Sequence, residues 1–514
     1  MRVGWHNEST LDLVATASGH TFHCFLWRKT KESPRAQHNV AGLLLLFLNN
    51  KVYQGLMRGE SLESGSFEMM SGLELKLSAE PLGNLFALLA SFLWVITTVY
   101  SIGYMRGHKE INQTRFYACF AIALAAVMAA AYADNLLTLF VAYEVLTLST
   151  FPLVTHAGTE NARRGGRTYL SILMGTSIGL LMPAIIWTYL LSGTTTFTPG
   201  GILDPQLGTL MLGVLAGLYV FGIGKAAIMP FHRWLPAAMV APTPVSALLH
   251  AVAVVKTGVF ALLKIATYTF GVDTMAASGA TEWILWIAAF TILAASLIAF
   301  TKDNLKARLA YSTVSQLSYI ILAALLASSV AITGGALHIV MHGFAKITLF
   351  FCAGAILVAT HKTNISELDG LGRKMPITML AFTIGSLGII GLPPASGLWS
   401  KLLIAKGTLD NGHIWLIAIL MLSTLLNIGY LLQIPVNAFF KQPRTDMDEH
   451  HDDEEHGSSG EAYNLASSNS MTSAGWQEAP APSLWAIVMT SSIVILLFFY
   501  PAPLLDLLAL IQWR

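Results

Sequence analysis

Long apolar runs separated by short polar loops dominate the chain between positions 82 and 508. A helix needs about 20 predominantly apolar residues to cross the hydrocarbon core of a bilayer. Twelve runs reach or approach that length, with approximate bounds 82–104, 116–133, 136–154, 169–191, 207–228, 245–268, 283–300, 305–327, 332–359, 377–409, 413–439 and 484–508. The pattern therefore predicts an all-α polytopic membrane protein with about twelve clear transmembrane helices.

The first 81 residues do not follow this pattern. Residues 1–40 are polar and mixed, and they lack the apolar core of a secretory signal. An apolar run at 41–48 ends at Asn49, Asn50 and Lys51, so it is too short to cross a membrane alone. We expect residues 1–81 to form an atypical N-terminal region, followed by the first clear transmembrane helix and its loop over 82–115.

The loops alternate in charge along the chain. Almost no Lys or Arg occurs in the intervening loops, which carry Asp134, Asp204, Asp273, Glu282 and Asp410. Basic residues occupy the other loops, at Arg106, Lys109, Arg115, Arg163, Arg164, Arg167, Lys302, Lys306, Arg308, Lys362, Arg373, Lys374, Lys441 and Arg444. Because basic loops remain in the cytoplasm, twelve helices place the C-terminus outside and predict a multi-pass protein of the inner (cytoplasmic) membrane.

Composition excludes several classes of protein. The chain is 54% hydrophobic, only 11% of its residues are charged, and its net charge is +1, whereas soluble domains carry about 25% charged residues. Nothing therefore indicates a nucleic-acid partner. The three cysteines are far apart and match no iron–sulfur, haem or CxxC spacing, so we expect no cofactor and no metal site. Residues 440–482 are rich in acidic residues and His, which predicts a disordered cytoplasmic loop before the last segment at 483–514.

One stretch combines buried charge with helix-breaking residues. Residues 221–256 place Lys225, His232, His250 and Lys256 in or beside apolar segments interrupted by Gly and Pro. In lipid, a broken backbone is tolerated only where protein or a water-filled cavity surrounds it, and an ionisable residue at membrane depth indicates a functional site. This stretch is predicted to form the middle of an ion path.

Glu144 is an isolated carboxyl group in the third apolar run. An unpaired carboxylate is costly at that depth, so Glu144 should be protonated or paired, and Lys225 is its natural partner. Such a pair could act as a switch, because moving Glu144 would change how tightly Lys225 holds its proton. The alternative is a structural ion pair that fixes two helices.

A second titratable set consists of His338, His342 and Lys346. Their spacing of four places all three on one helix face, which favours a proton relay over isolated core histidines. His250 and Lys256 are six residues apart, which does not place them on one face of a regular helix. His250 is therefore a weaker candidate for the path, as is His232. Lys264, near the end of its apolar run, could extend to the membrane interface.

A second interrupted segment lies at 391–403, where Pro393, Pro394 and Gly397 precede Lys401. Two broken segments at corresponding places are typical of repeat-built transporters. Pairing the two breaks predicts two five-helix repeats, at 116–268 and 283–439. Since five is odd, consecutive repeats would have inverted orientations.

The motifs GKAAIMPFHRWLPAAMVAPTPVSALLHA, AYSTVSQLSYI, HxxxHxxxK and GLPPxSGxxSK resemble those of a known family. They are similar to the antiporter-like proton-translocating subunits of respiratory complex I, membrane-bound hydrogenases and Mrp-type cation/proton antiporters, most of all to the D-type subunit of Mrp antiporters. The family has fourteen helices, so the resemblance implies that the first two are missing or unrecognisable in this chain.

By position, the resemblance assigns Glu144 and Lys225 to a charge-pair switch. It also assigns Lys256 and the stripe from His338 to Lys346 to a central relay, and Lys401 to the outlet. It implies a proton-translocating subunit of a multisubunit Na⁺(K⁺)/H⁺ antiporter, with other membrane subunits as partners and no catalytic chemistry of its own. The alternatives are the pumping subunit of an NADH–quinone oxidoreductase or hydrogenase complex, and a membrane scaffold whose charges only fix helix packing.

Overall fold

The computed structural model describes residues 33–70, 73–107, 113–247, 252–442 and 476–513. Within these residues, eight helices are long and apolar enough to cross a membrane, and a ninth is obtained if two helices that meet at 80° form one span. The protein is therefore a mostly helical, multi-pass membrane protein, as the sequence pattern predicts. The count of twelve stays a prediction, because several expected spans consist of short helix pieces.

The first part of the described chain, up to residue 247, begins with a helix and a β-hairpin and continues with further helices. Strands β1 (Phe67–Met70) and β2 (Leu73–Leu75) pair in antiparallel orientation. The helices are α1 (Ser33–Met57), α2 (Pro81–Gly107), α3 (Gln113–Ala131), α4 (Leu136–Val154), α5 (Glu160–Ser192, with a π-helical turn at Ser177–Leu181), α6 (Thr209–Gly222), α7 (Trp234–Ala237) and α8 (Thr243–Ala247).

Besides two short 3₁₀ helices at Ile365–Glu367 and Leu371–Arg373, the second part of the chain contains ten α-helices in the described residues. They are α9 (Val254–Phe270), α10 (Val272–Ser278), α11 (Glu282–Thr301), α12 (Leu305–Leu325), α13 (Ser329–Thr360), α14 (Pro376–Ile390), α15 (Gly397–Asp410), α16 (Ile414–Phe440), α17 (Ala481–Phe499) and α18 (Ala502–Ala509).

Helix α1 contains the apolar run at 41–48 and extends beyond it at both ends. With 25 residues, the helix is about 37 Å long at 1.5 Å per residue. Asn49, where the apolar run ends, is fully buried. Its side-chain oxygen accepts a hydrogen bond from Tyr132 Oη at 2.9 Å, and Asn84 Nδ2 donates to its backbone carbonyl at 3.1 Å. The tertiary structure thus satisfies a polar residue that ended the run in the sequence.

The loops gather at the two ends of the helices. At one end, Leu77 pairs with Ala133 and Asn135 pairs with Thr196, and Thr198 N–H donates to the Tyr268 carbonyl at 3.2 Å. At the other end, the loop after α11 pairs with the loop after α13, and the loop after α13 also contacts residues 437 and 477. These groups match the predicted alternation, with the basic loops together at one end and the acidic loops at the other.

Helix α13 lies at the centre of the structure. It packs against α2, α12, α14, α15 and α17, and its residues from 334 to 356 are buried throughout. Helix α9 packs on the interrupted stretch after α6, where a Cβ atom at Gly258 would overlap Ala226 N and lie 2.5 Å from Lys225 C. Glycine at this position therefore allows α9 to approach the broken backbone closely.

Some expectations fall outside the described residues. These are the structure of residues 1–32, the position of His250, and the acidic, His-rich segment over 443–475. The proposed repeats at 116–268 and 283–439 stay predictions, although both contain an interrupted helix, after α6 and between α14 and α15.

Replacing Gly258 with Val should prevent α9 from packing on the broken stretch. A backbone neighbour this close cannot yield as a flexible side chain can, and overpacking costs about 1–3 kcal/mol or more. We expect a large loss of monodisperse protein in detergent, measured by fluorescence-detected size-exclusion chromatography.

Gly175→Val is the matched control, because a Cβ atom at this helical position meets nothing within 4 Å. Equal yields of the two variants would contradict the packing argument.

Candidate functional site

The first helix break presents a lysine to the protein interior. Helix α6 ends at Gly222, and Lys225 lies in a 3₁₀ turn that follows. The backbone groups released by the break have protein partners: Lys225 N–H donates to Tyr143 Oη at 3.1 Å, and Trp234 Nε1 donates to the Gly224 carbonyl at 2.9 Å. This is the condition under which irregular backbone is stable at membrane depth.

The Lys225 side chain is fully buried against α4. Its Nζ atom donates to the Tyr143 carbonyl at 2.8 Å and to Thr147 Oγ1 at 2.5 Å. It also lies 3.1 Å from the centroid of the Tyr143 ring. The cation is thus held by neutral oxygens and by the face of an aromatic ring.

Glu144 lies beside this site without a direct contact to Lys225. No ion pair within 4 Å joins the two among the described residues, and the shielded Glu144 oxygens have no hydrogen-bond partner there. The reason is helical geometry. Tyr143 and Thr147 lie on the buried face of α4, whereas the half-buried Glu144 lies on the same face as Leu148, which is exposed. The charge-pair role of Glu144 therefore stays a prediction.

Three predicted residues meet at the centre of the molecule. Lys256 Nζ lies 2.6 Å from His342 Nδ1, and the His342 ring stacks on the His338 ring with centroids 5.6 Å apart. All three side chains are almost fully buried. The four-residue spacing on α13 thus produces the common face that the sequence predicts.

Lys346 continues the α13 stripe by one turn. Its Nζ atom donates to the Leu309 carbonyl at 3.2 Å and to Ser312 Oγ at 3.0 Å, and its side chain is fully buried. Like Lys225, this lysine is held by a carbonyl and a hydroxyl oxygen.

The second helix break holds Lys401. Its Nζ atom donates to the carbonyl of Ile390, the last residue of α14, at 3.0 Å. A cation at a helix C-terminus is favoured by the helix dipole. Lys401 Nζ also lies 4.9 Å from the centroid of the Tyr319 ring, which in turn lies 6.0 Å from the His338 ring. Tyr319 therefore connects the second break to the histidines.

These contacts form a continuous row inside the protein, from Lys401 through Tyr319 and His338 to His342 and Lys256. Lys346 lies one turn farther along α13. Lys225 lies next to α9, because its backbone packs against Gly258. Gly258 is two residues after Lys256 on that helix. Lys256 and His342 are within hydrogen-bonding distance of each other, whereas the contacts of Tyr319 with Lys401 and His338, and of His338 with His342, are ring contacts at 4.9–6.0 Å.

His232 is not joined to this row. Its ring is half-buried and lies 6.1 Å from the Tyr311 ring. Its Nδ1 atom has no hydrogen-bond partner among the described residues.

Neutral polar residues complete the row, and the sequence reasoning missed them. Ser400 Oγ lies 2.8 Å from His338 Nδ1. Gln316 is fully buried with both amide atoms unpartnered in the described part of the chain, and its helix position lies between Ser312, which holds Lys346, and Tyr319. The polar spacing in AYSTVSQLSYI, three or four residues within an apolar helix, could have identified this face.

Comparison with known proteins places the chain in a family. Residues 133–427, more than half of the chain, match the family described as NADH:quinone oxidoreductase/Mrp antiporter, TM. The chain is 32% identical over 374 residues to NADH-quinone oxidoreductase subunit N of Desulforudis audaxviator, covering 72% of this chain and 73% of that one. It is 33% identical over 337 residues to a probable K⁺/H⁺ antiporter A/B subunit of Rhizobium meliloti, covering 64% of this chain and 32% of that one.

Other curated relatives are longer, and the chain spans 50–63% of the subunit L and chain 5 relatives that it matches. Two solved structures share the fold. One is the membrane-bound sulfane sulfur reductase, an archaeal respiratory membrane complex (TM-score 0.81, 20% identity, 98% of this chain and 96% of that one). The other is the Mrp complex of Dietzia sp. DQ12-45-1b (TM-score 0.78, 18% identity, 98% and 96%).

The buried row of lysines and histidines thus lies in a chain that belongs to the NADH:quinone oxidoreductase/Mrp antiporter transmembrane family.

Proposed function

We propose that this protein is a proton-translocating subunit of a multisubunit Na⁺(K⁺)/H⁺ antiporter of the inner membrane. The observation that carries the proposal is the row of titratable side chains from the half-buried Lys401 to the fully buried Lys256, which adjoins Lys225. Burying so many ionisable groups is costly, and a structural role would need far fewer of them.

The partners of the lysines suit proton transfer. Lys225, Lys256, Lys346 and Lys401 bond to carbonyl, hydroxyl or imidazole groups. These neutral groups hold an ammonium less strongly than a carboxylate does. Each lysine can therefore take up or release a proton as its surroundings change.

In this proposal, Glu144 controls the protonation of Lys225. Its carboxylate favours the charged form of Lys225 when it is near and ionised. Since Glu144 follows an exposed face of α4, a neighbouring membrane protein of the complex could alter its position or charge and thereby shift the proton on Lys225.

The antiporter assignment is supported by the sequence match to a probable K⁺/H⁺ antiporter protein. A second candidate is the pumping subunit of a redox-driven complex, favoured by the match to a subunit N that spans 73% of that relative. The same row would serve either complex. The proteins that copurify with the chain distinguish them: quinone-reducing subunits support the second candidate, and other antiporter subunits support the first.

Replacing Lys225 or Glu144 with Ala should abolish most proton exchange, because each change removes one member of the proposed switch. The measurement is the Na⁺- or K⁺-dependent change of pH in vesicles that contain the assembled complex. We expect a decrease of at least about tenfold, corresponding to about 1.4 kcal/mol in the transfer barrier.

Lys406→Ala is the matched control, since Lys406 is an exposed lysine on α15, near Lys401 in the sequence. Undiminished exchange in both the Lys225 and the Glu144 variants would refute the proposed function.

Thr147→Val tests the geometry around Lys225. Valine keeps the shape of the side chain but removes the hydroxyl that accepts from Lys225 Nζ at 2.5 Å. A hydrogen bond to a charged group contributes about 1.5–3 kcal/mol, so exchange should slow by about 10- to 150-fold, with little change in protein yield.

Thr188→Val removes a similarly buried hydroxyl, which lies 2.6 Å from Tyr219 Oη, away from the row. If both threonine variants lose exchange equally, the effect is not specific to Lys225.

A further inference from the structure

A cavity of ≈ 400 Å³ opens at the end of the protein that carries the acidic loops. Its lining includes the exposed residues Gly59, Glu60 and Ser61, so it reaches the surface. Lys264 and Glu80 also line it, and the C-terminal residues Leu510 and Gln512 contribute to its wall. The basic loops lie at the opposite end, so the cavity faces the outside in the predicted orientation.

Lys264 differs from the lysines of the central row. Its side chain is only 1% exposed, and its Nζ atom lies 3.0 Å from Glu80 Oε1. It also donates to the Ala133 carbonyl at 2.7 Å. The expectation that Lys264 extends to the membrane interface is therefore wrong, because this ion pair and hydrogen bond hold the side chain inside the protein.

Lys264 also lies on the same helix as Lys256. Eight residues of α9 separate them, about 12 Å along the helix axis. Lys256 therefore belongs to the central row, whereas Lys264 lies with Glu80 at an open cavity. Phe260 lies between them and is 5.7 Å, measured from its ring centroid, from Lys264 Nζ.

Further titratable groups surround the cavity. Tyr268 and Asp134 line it, and Lys76 lies 3.9 Å from Asp134 and 2.7 Å from Glu63. Burial raises the pKa of the Asp134 carboxyl, although Lys76 opposes this shift. A carboxyl group that is protonated more readily than usual can receive a proton near the cavity wall.

We propose that Lys264 and Glu80 form a proton-exchange site that connects the central row to the outer face through this cavity. The inference rests on the proposed function and assigns two further residues to it. Lys264 transfers a proton to Glu80: an N–H bond of the ammonium breaks, an O–H bond forms, and a neutral amine and a neutral carboxylic acid result. Water in the cavity then takes the proton from Glu80, and Lys264 is recharged from the side of Lys256.

Lys264→Arg tests the transfer step. Arginine can keep an ion pair with Glu80 but does not release its proton in proteins. We expect the assembled complex to form in normal amounts, with cation-dependent proton exchange in vesicles lowered at least tenfold. Exchange at the original rate in this variant would overturn the inference.

A double variant separates this role from a structural one. Replacing a buried ion pair with apolar residues is often neutral or stabilising, so Lys264→Met combined with Glu80→Leu should restore any assembly that a single change loses. We expect the double variant to assemble but not to exchange protons. Recovery of both assembly and exchange would show that the pair only fixes α9 to the loop before α2.

Lys225→Ala and Lys406→Ala are measured in parallel. If Lys225→Ala abolishes exchange while Lys264→Arg does not, the outer site is refuted and the proposed function stands. If neither variant reduces exchange, the proposed function itself fails. Lys406→Ala, which changes an exposed lysine outside the row and the cavity lining, should leave exchange within about twofold of the original.

Discussion

The cost of placing lysines inside an apolar protein constrains the rest of this structure. Lys225, Lys256, Lys346 and Lys401 are held by carbonyl, hydroxyl or imidazole groups. Partners of this kind must come from the protein, because a lipid environment supplies none. The hydroxyl-rich face of α12, the inward face of α4 and the open C-terminal end of α14 are consequences of this requirement.

The two helix breaks serve the same purpose by different contacts. After α6, the break exposes backbone groups that Tyr143 and Trp234 satisfy, and Lys225 in turn reaches the backbone of α4. Between α14 and α15, Lys401 donates to the last carbonyl of the helix before the break. The end of α14 leaves its last carbonyl groups without an intrahelical donor, which makes the Ile390 carbonyl available to Lys401.

Lys264 and Glu80 show the contrasting arrangement. A carboxylate holds this lysine, and the pair adjoins an open cavity rather than another titratable group of the row. A buried lysine that is paired with a carboxylate is stabilised in its charged form. It can release its proton only if the carboxylate accepts it. In the proposed proton path, such a pair is suited to the boundary with water, whereas neutral partners are suited to the interior.

The sequence by itself determined the membrane class, the helical architecture and most of the titratable residues, since hydrophobic runs and buried charges are local properties of the chain. It also determined the common face of His338 and His342, because helical spacing is local. Only the tertiary structure decided that Lys225 bonds to Tyr143 and Thr147 rather than to Glu144, that Asn49 is satisfied inside a full helix, and that Lys264 is buried against Glu80. These outcomes depend on residues distant in sequence, whose approach is set by the packing of whole helices and has no signature in the local pattern.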